Sequence, residues 1–200
     1  MKPPPKSLLT SIAKLNDLLE RHDHERAVPL MRKLGRELAA GGFRSASFTW
    51  LEAIYFDQNE DWPNALAKIT EAALIDPCNG GIQKSRDVIC SRISSALAGI
   101  EDHDPNVPYL YHLLIGADAV GLEDHLKMAR YQAHRGQPEQ AHKLLDAILA
   151  LNPVSADAWA IKSLLLGSQR RCSEAQEAGV EASRWGFGAV PFVFTGVVRA

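Results

Sequence analysis

Cysteine is scarce in this 200-residue chain: Cys78, Cys90 and Cys172 form an odd set of three without CxxC spacing. Neither a disulfide framework nor a cysteine-rich zinc site can be built from them. Charge of one sign is also missing. The 22 Lys+Arg against 24 Asp+Glu leave a net charge of −2, which removes the bulk basic field that a polyanion-binding protein relies on. No apolar run reaches the ~18 residues of a membrane span. Met1 to Lys14 holds three prolines and no unbroken apolar stretch of the kind a signal peptide needs. GxGxxG, GxSxG and GxxxxGK followed by Ser or Thr are absent too, so the commonest nucleotide and acyl-transfer motifs are excluded. These absences predict a protein of a reducing compartment, cytoplasmic, with neither membrane insertion nor nucleic-acid binding. The 46% hydrophobic content is ample for a core and unlike that of a disordered chain.

What is present is periodic. Leu8, Ile12, Leu15 and Leu19 have helical spacing, and after Arg21-His22-Asp23-His24 the pattern resumes at Ala27, Leu30, Met31, Leu34 and Leu38. The same two-stroke pattern comes after Gly41-Gly42, with Phe48 to Gln58 as one helix and Ala65, Ile69 and Ala72 marking the next. Asp76-Pro77 and Asn152-Pro153 act as stops, since proline cannot continue a helix. Ile82 to Ile100 reads as a longer helix and Tyr109 to Asp118 as a short one, with Pro108 in a tolerated first-turn position. Stripes at Leu122, Leu126, Ala129 and Ala133, then at Ala141, Leu144, Leu145, Ile148 and Leu151, precede helices at Ser155 to Leu166 and Ser173 to Trp185. Ser155 and Ser173 are the expected N-caps of those last two. Ten helices with short connections predict an all-α stack.

Arg135-Gly136-Gln137-Pro138-Glu139-Gln140-Ala141, closing on Asn152-Pro153, resembles the tetratricopeptide repeat. A second match runs through Ala53, Phe56, Ala65, Ile69, Ala72 and Pro77; a third through Trp159, Ser163, Leu166, Ala175 and Ala182; Ala27 and Leu34 give a weaker fourth. Alanines at a helix crossing let two axes approach to ~8–10 Å. Ala27, Ala65, Ala141 and Ala175 are spaced by 38, 76 and 34 residues, so one divergent pair fits the double interval. The resemblance implies a right-handed α-solenoid of about five antiparallel helix pairs, at 7–40, 43–77, 80–118, 121–153 and 155–185. A flexible N-terminus is expected at 1–6 and a capping tail at 186–200.

In that family the first helix of each pair lines a concave face that holds an extended or helical peptide. Carried over residue by residue, the resemblance places Asn16 and Glu20; Trp50, Ile54, Asp57 and Gln58; Glu123, Leu126, Arg130 and His134; and Asp157 on that face. The implied function is a non-catalytic scaffold for a protein or peptide partner, with no cofactor. The alternatives are the helical-repeat, substrate-selecting region of a larger enzyme of glycosyltransferase type, or a metal-dependent enzyme. The metal reading rests on His22-Asp23-His24-Glu25 and Glu101-Asp102-His103-Asp104, which carry N and O ligands but read more simply as solvated turns. His125 and His134 are nine residues apart, too far for the i,i+4 pair of a zinc helix.

Two uneven features complete the pattern. Residues 1–50 hold nine Lys/Arg and five acids, and residues 101–150 hold four and eight, a polarity suited to a partner of complementary charge. The tail places Val190, Phe192, Val193, Phe194, Val197 and Val198 around Pro191. Phe192 and Phe194 are therefore candidates for capping the last pair or for self-association into a homo-oligomer.

Overall fold

A computed structural model of the chain describes residues 5–187. Among them every regular element is a helix: α1 (Lys6–Glu20), α2 (His24–Ala40), α3 (Ala46–Gln58), α4 (Trp62–Ile75), α5 (Gly80–Gly99), α6 (Val107–Gly116), α7 (Leu122–His134), α8 (Pro138–Leu151), α9 (Ala156–Ser168) and α10 (Cys172–Arg184). The fold is an all-α helical repeat. It divides into two compact units whose boundary, between Ile93 and Ser94, falls inside α5.

The repeat is visible in one turn that joins the two helices of four pairs; the same closure also ends α2, α6 and α10 at Gly42, Asp118 and Gly186. His22, Glu60, Gly136 and Arg170 each adopt left-handed backbone, with φ of 54°, 58°, 69° and 62°. In each case the next N–H reaches back to the helix just ended: Asp23 to Leu18 O, Asp61 to Phe56 O and Gln137 to Gln132 O at 2.9 Å, and Arg171 to Leu166 O at 3.0 Å. This Schellman closure satisfies orphaned helix carbonyls and reverses the chain. Each left-handed residue lies five positions before a crossing alanine, and Ala27, Ala65 and Ala141 are fully buried, with Ala175 at 2% exposure. Twelve positions before those alanines stand Leu15, Ala53, Ala129 and Ser163, all buried. Ser163 Oγ donates to Ala175 O at 2.7 Å, a bond short enough to show how closely α9 and α10 cross.

Only one of the four turns has the glycine its geometry favours. A side chain in this conformation costs on the order of 1 kcal/mol. Glu60→Gly is therefore expected to raise stability by about 1 kcal/mol, and Gly136→Ala to lower it by about the same amount. Urea unfolding midpoints of the two variants check the pair of opposite signs.

In the first unit α1 packs on α2 and on α3, and α3 on α4. Leu15, Leu19, Leu34, Phe48 and Leu51 form its centre. In the second, α6, α8 and α9 all pack on α7, and α10 packs on α9; Leu126, Ala129, Ala141, Leu145 and Ala158 share one cluster. Between α5 and α6, where the repeat motif is missing, the Schellman turn is replaced by bonds from Asp104 N to Glu101 O and from Val107 N to Asp104 O.

Capping corrects the expected boundaries. Ser45 Oγ accepts from Phe48 N at 3.2 Å and starts α3 two residues early. Asp23 and Asp61 cap α2 and α4. Ser155 caps α9 as expected. Ser173 does not cap α10, which begins at Cys172; Arg171 occupies the cap position and instead pairs with Glu174 at 2.7 Å. The Schellman turn around Arg170 sets that start, one residue before the serine.

Candidate interaction face

In the first unit the first helices α1, α3 and α5 are joined side by side by polar side chains. Trp50 and Asp57, seven residues apart on α3, both meet α5. The Trp50 indole Nε1 donates to Ser85 Oγ at 2.9 Å, and its ring lies 3.0 Å from where a Cβ on Gly81 would stand. Glycine at 81 is thus what lets α5 begin against a tryptophan face. Farther along the same two helices, Arg92 Nη1 donates to Asp57 Oδ2 at 2.6 Å. On the other flank of α3, Gln58 Nε2 donates to Leu19 O of α1 at 3.0 Å. Asn16 Nδ2 donates to Glu20 Oε1 at 2.6 Å, along α1.

Burial differs along this row. Trp50, Asn16 and Gln58 are half-buried and Glu20 is exposed. The Asp57 side chain is 9% exposed, while that of Arg92 is 54% exposed. Burial therefore pushes the Asp57 carboxyl above the usual carboxylate range, and the guanidinium beside it pulls it part of the way back. Asp57 Oδ1 and Gln58 Oε1 are buried acceptors without a hydrogen-bond partner among the described residues. Ile54 packs on the core edge. The face combines a fixed aromatic plane, a half-exposed guanidinium anchored by a buried carboxylate, and two amides. Among the described residues, this face brings no nucleophile and base together.

The second unit departs from the expected face. Leu126 is 0% exposed inside the core cluster, so it cannot contact a partner. The cause is that α7 is covered on most of its circumference, burying Asp124, Lys127, Met128, Ala129 and Gln132 as well. Glu123, His134 and Asp157 are exposed and Arg130 is half-buried. Asp124 accepts from Ser94 Oγ at 2.7 Å and from Gly121 N at 2.8 Å. Lys127 donates to Ile100 O and pairs with Asp102 at 2.9 Å. Tyr111, 5% exposed, bonds His125 Nδ1 at 2.6 Å, and burial pushes its phenol pKa up.

The histidine turns do not gather ligands. His22 and His24 stack with centroids 6.0 Å apart, and His24 Nδ1 meets Asn59 at 3.3 Å. His103 contacts Glu101 at 3.1 Å and the edge of His134 at 6.5 Å. Among the described residues no three His, Cys, Asp or Glu side chains converge as a metal site would require. Cys90 is buried, which raises its thiol pKa, and Cys78 and Cys172 are exposed. Phe192 and Phe194 lie outside the described residues.

No family model matches the chain, and no curated protein matches it. Among solved structures, one described as the functional characterization of Pseudomonas aeruginosa PilF is similar over 90% of this chain and 77% of its own, at 17% identity and a TM-score of 0.40. No residue role can be taken from so distant a likeness. No helix of the described residues is long and apolar enough to cross a membrane.

Arg92, Ser85, Asp124 and Lys127 were absent from the sequence-based set. For the first two a signal exists: Trp50 to Ser85 and Asp57 to Arg92 each span 35 residues, close to one repeat. Polar residues one repeat apart on consecutive first helices are the ones that meet.

Proposed function

We propose that this protein is a non-catalytic interaction module that binds an extended or helical segment of a protein partner on the α1–α3–α5 face of its first unit. The observation that carries the reading is the pinned Trp50. Its indole is half-buried, fixed by the Ser85 hydrogen bond, and shares the α3–α5 seam with the Arg92 guanidinium. A rigid aromatic on one face with an anchored cation is the composition of a binding hot spot: the ring covers an apolar side chain, and the guanidinium fixes a carbonyl or carboxylate. Asn16 and Glu20 extend the face across α1 and supply donors and acceptors for peptide backbone. Glu123, Arg130, His134 and Asp157 are a second, smaller set for the same kind of partner in the second unit.

Selection of a displayed random-peptide library on the full chain tests the reading. Enriched peptides are expected to lose about tenfold in affinity, ~1.4 kcal/mol, on Glu20→Lys and on Trp50→Phe, which keep the helices intact. Glu25→Lys, on exposed α2 surface, serves as the control and leaves binding unchanged. Equal binding by all three variants places the site elsewhere, and a library that yields no binder removes the peptide reading.

A further inference from the structure

The second unit ends in an open groove of about 700 Å³ between α9 and α10, lined by Trp159, Leu166, Glu174, Glu177, Val180 and Glu181 among others. Its position in the repeat says what kind of surface it is. One 34-residue interval earlier, the α8 residues equivalent to Gln176 and Val180 are His142 and Asp146. Both are contacted from α9 or the turn that ends it: His142 Nε2 meets Gln169 Oε1 at 3.0 Å, and Asp146 Oδ1, on a side chain that stays 59% exposed, accepts from Lys162 Nζ at 2.6 Å. On α10 no later described helix follows to contact the same positions, and Val180 is 61% exposed. The groove is therefore the place where the pair awaits its next element.

We infer that this groove is the docking site for the chain's own residues 188–200, which lie outside the described part. Three observations select that occupant. Earlier helices are covered by helices later in the chain, α1 by α3, and α7 and α8 by α9. The chain leaves α10 at Phe187, beside the Glu181 end of the groove, where Trp185 Nε1 donates to Glu181 Oε2 at 3.2 Å. Thirteen residues can reach ~40 Å, about twice the ~20 Å length of α10, so a return along it is within range.

The chemistry matches as well. The segment supplies Val190, Phe192, Val193, Phe194, Val197 and Val198 with Arg199 as its one charged side chain. The groove offers the half-buried Trp159 and the exposed Val180 as apolar cover, above a buried Leu166. Glu174 is paired with Arg171 at 2.7 Å and Glu181 with Arg184 at 3.4 Å, which leaves Glu177 as the carboxylate for Arg199. Covering this face removes apolar surface from water and gives the last pair the neighbour that an inner pair has.

A spin label tests the inference in the full chain. Cys78 and Cys172, both exposed, are replaced by serine, and Thr195→Cys carries the nitroxide. The Trp159 indole N–H resonance is then expected to lose most of its intensity relative to the chemically reduced label. Val180→Lys, a surface change that leaves the core untouched, is expected to restore it. Full Trp159 intensity in the labelled chain overturns the proposal, and so does broadening that survives Val180→Lys. Broadening that passes to isotope-labelled, spin-free copies in a mixed sample also overturns it, because the occupant is then a second copy of the chain.

Discussion

Ala141→Leu is expected to lower the stability of the second unit by about 3 kcal/mol, the upper part of the range for overpacking a filled core. Ala141 is 0% exposed where α8 crosses α7, and Ala129, also 0% exposed, belongs to the same cluster. Two alanines set the axial separation, so three added carbons must force the helices apart or bend a rotamer against Leu126 or Leu145. Both neighbours are themselves fully buried and have no room to yield. Ala147→Leu, on the exposed side of the same helix, adds the same carbons to water and is expected to change stability by less than ~0.5 kcal/mol. Hydrogen exchange gives the location as well as the size. In a repeat each pair leans on its neighbours, so amides of α7, α8 and α9 lose protection first while those of α1 to α3 retain theirs. Equal losses by the two variants would show that propensity or solubility, not the crossing, was being measured.

The crossing alanines were legible in the sequence because only a small residue fits there, and the restriction recurs at Ala27, Ala65, Ala141 and Ala175. Helix ends at Asp76-Pro77 and Asn152-Pro153 were legible for a similar reason: proline acts on the backbone whatever surrounds it. Helix starts were less so. Ser173 has the composition of a cap, yet the Schellman turn at Arg170 begins α10 one residue before it. The binding face was half legible. Trp50 and Asp57 could be placed on one side of α3 by their spacing, but their partners Ser85 and Arg92 sit on another helix and are reached only through the repeat length. Leu126 is not part of the face because α7 is buried around most of its circumference and not along a single stripe. Buried Asp124 and Lys127 look like solvent-facing residues until Ser94, Ile100 and Asp102 are seen to receive them.

Arg92→Met is expected to cost about 2 kcal/mol near neutral pH, less than the roughly 3–5 kcal/mol lost when a fully buried ion pair is broken. The discount reflects Arg92 itself, whose side chain is 54% exposed and already partly hydrated. What remains is the stranded Asp57, 9% exposed, with Oδ1 already lacking a partner and Oδ2 losing the guanidinium. The sign of the pH dependence is set by Asp57. Burial raises its folded-state pKa above the unfolded value, so the folded protein holds the proton more tightly than the unfolded chain does. The penalty is then fully present above the folded pKa and is relieved as pH falls through it toward the ordinary carboxylate range. Without the guanidinium that pKa rises further, so the variant's deficit against the wild type should shrink from neutral pH to a mildly acidic pH nearer the ordinary carboxylate range. Asp57→Asn combined with Arg92→Met removes the buried charge along with its partner, and is expected to recover most of the loss at neutral pH. Urea midpoints of the single and double variants at both pH values decide the matter. A deficit that is the same at both, and that the double variant does not recover, would mean that Arg92 stabilises α5 through its methylene packing instead of through the carboxylate.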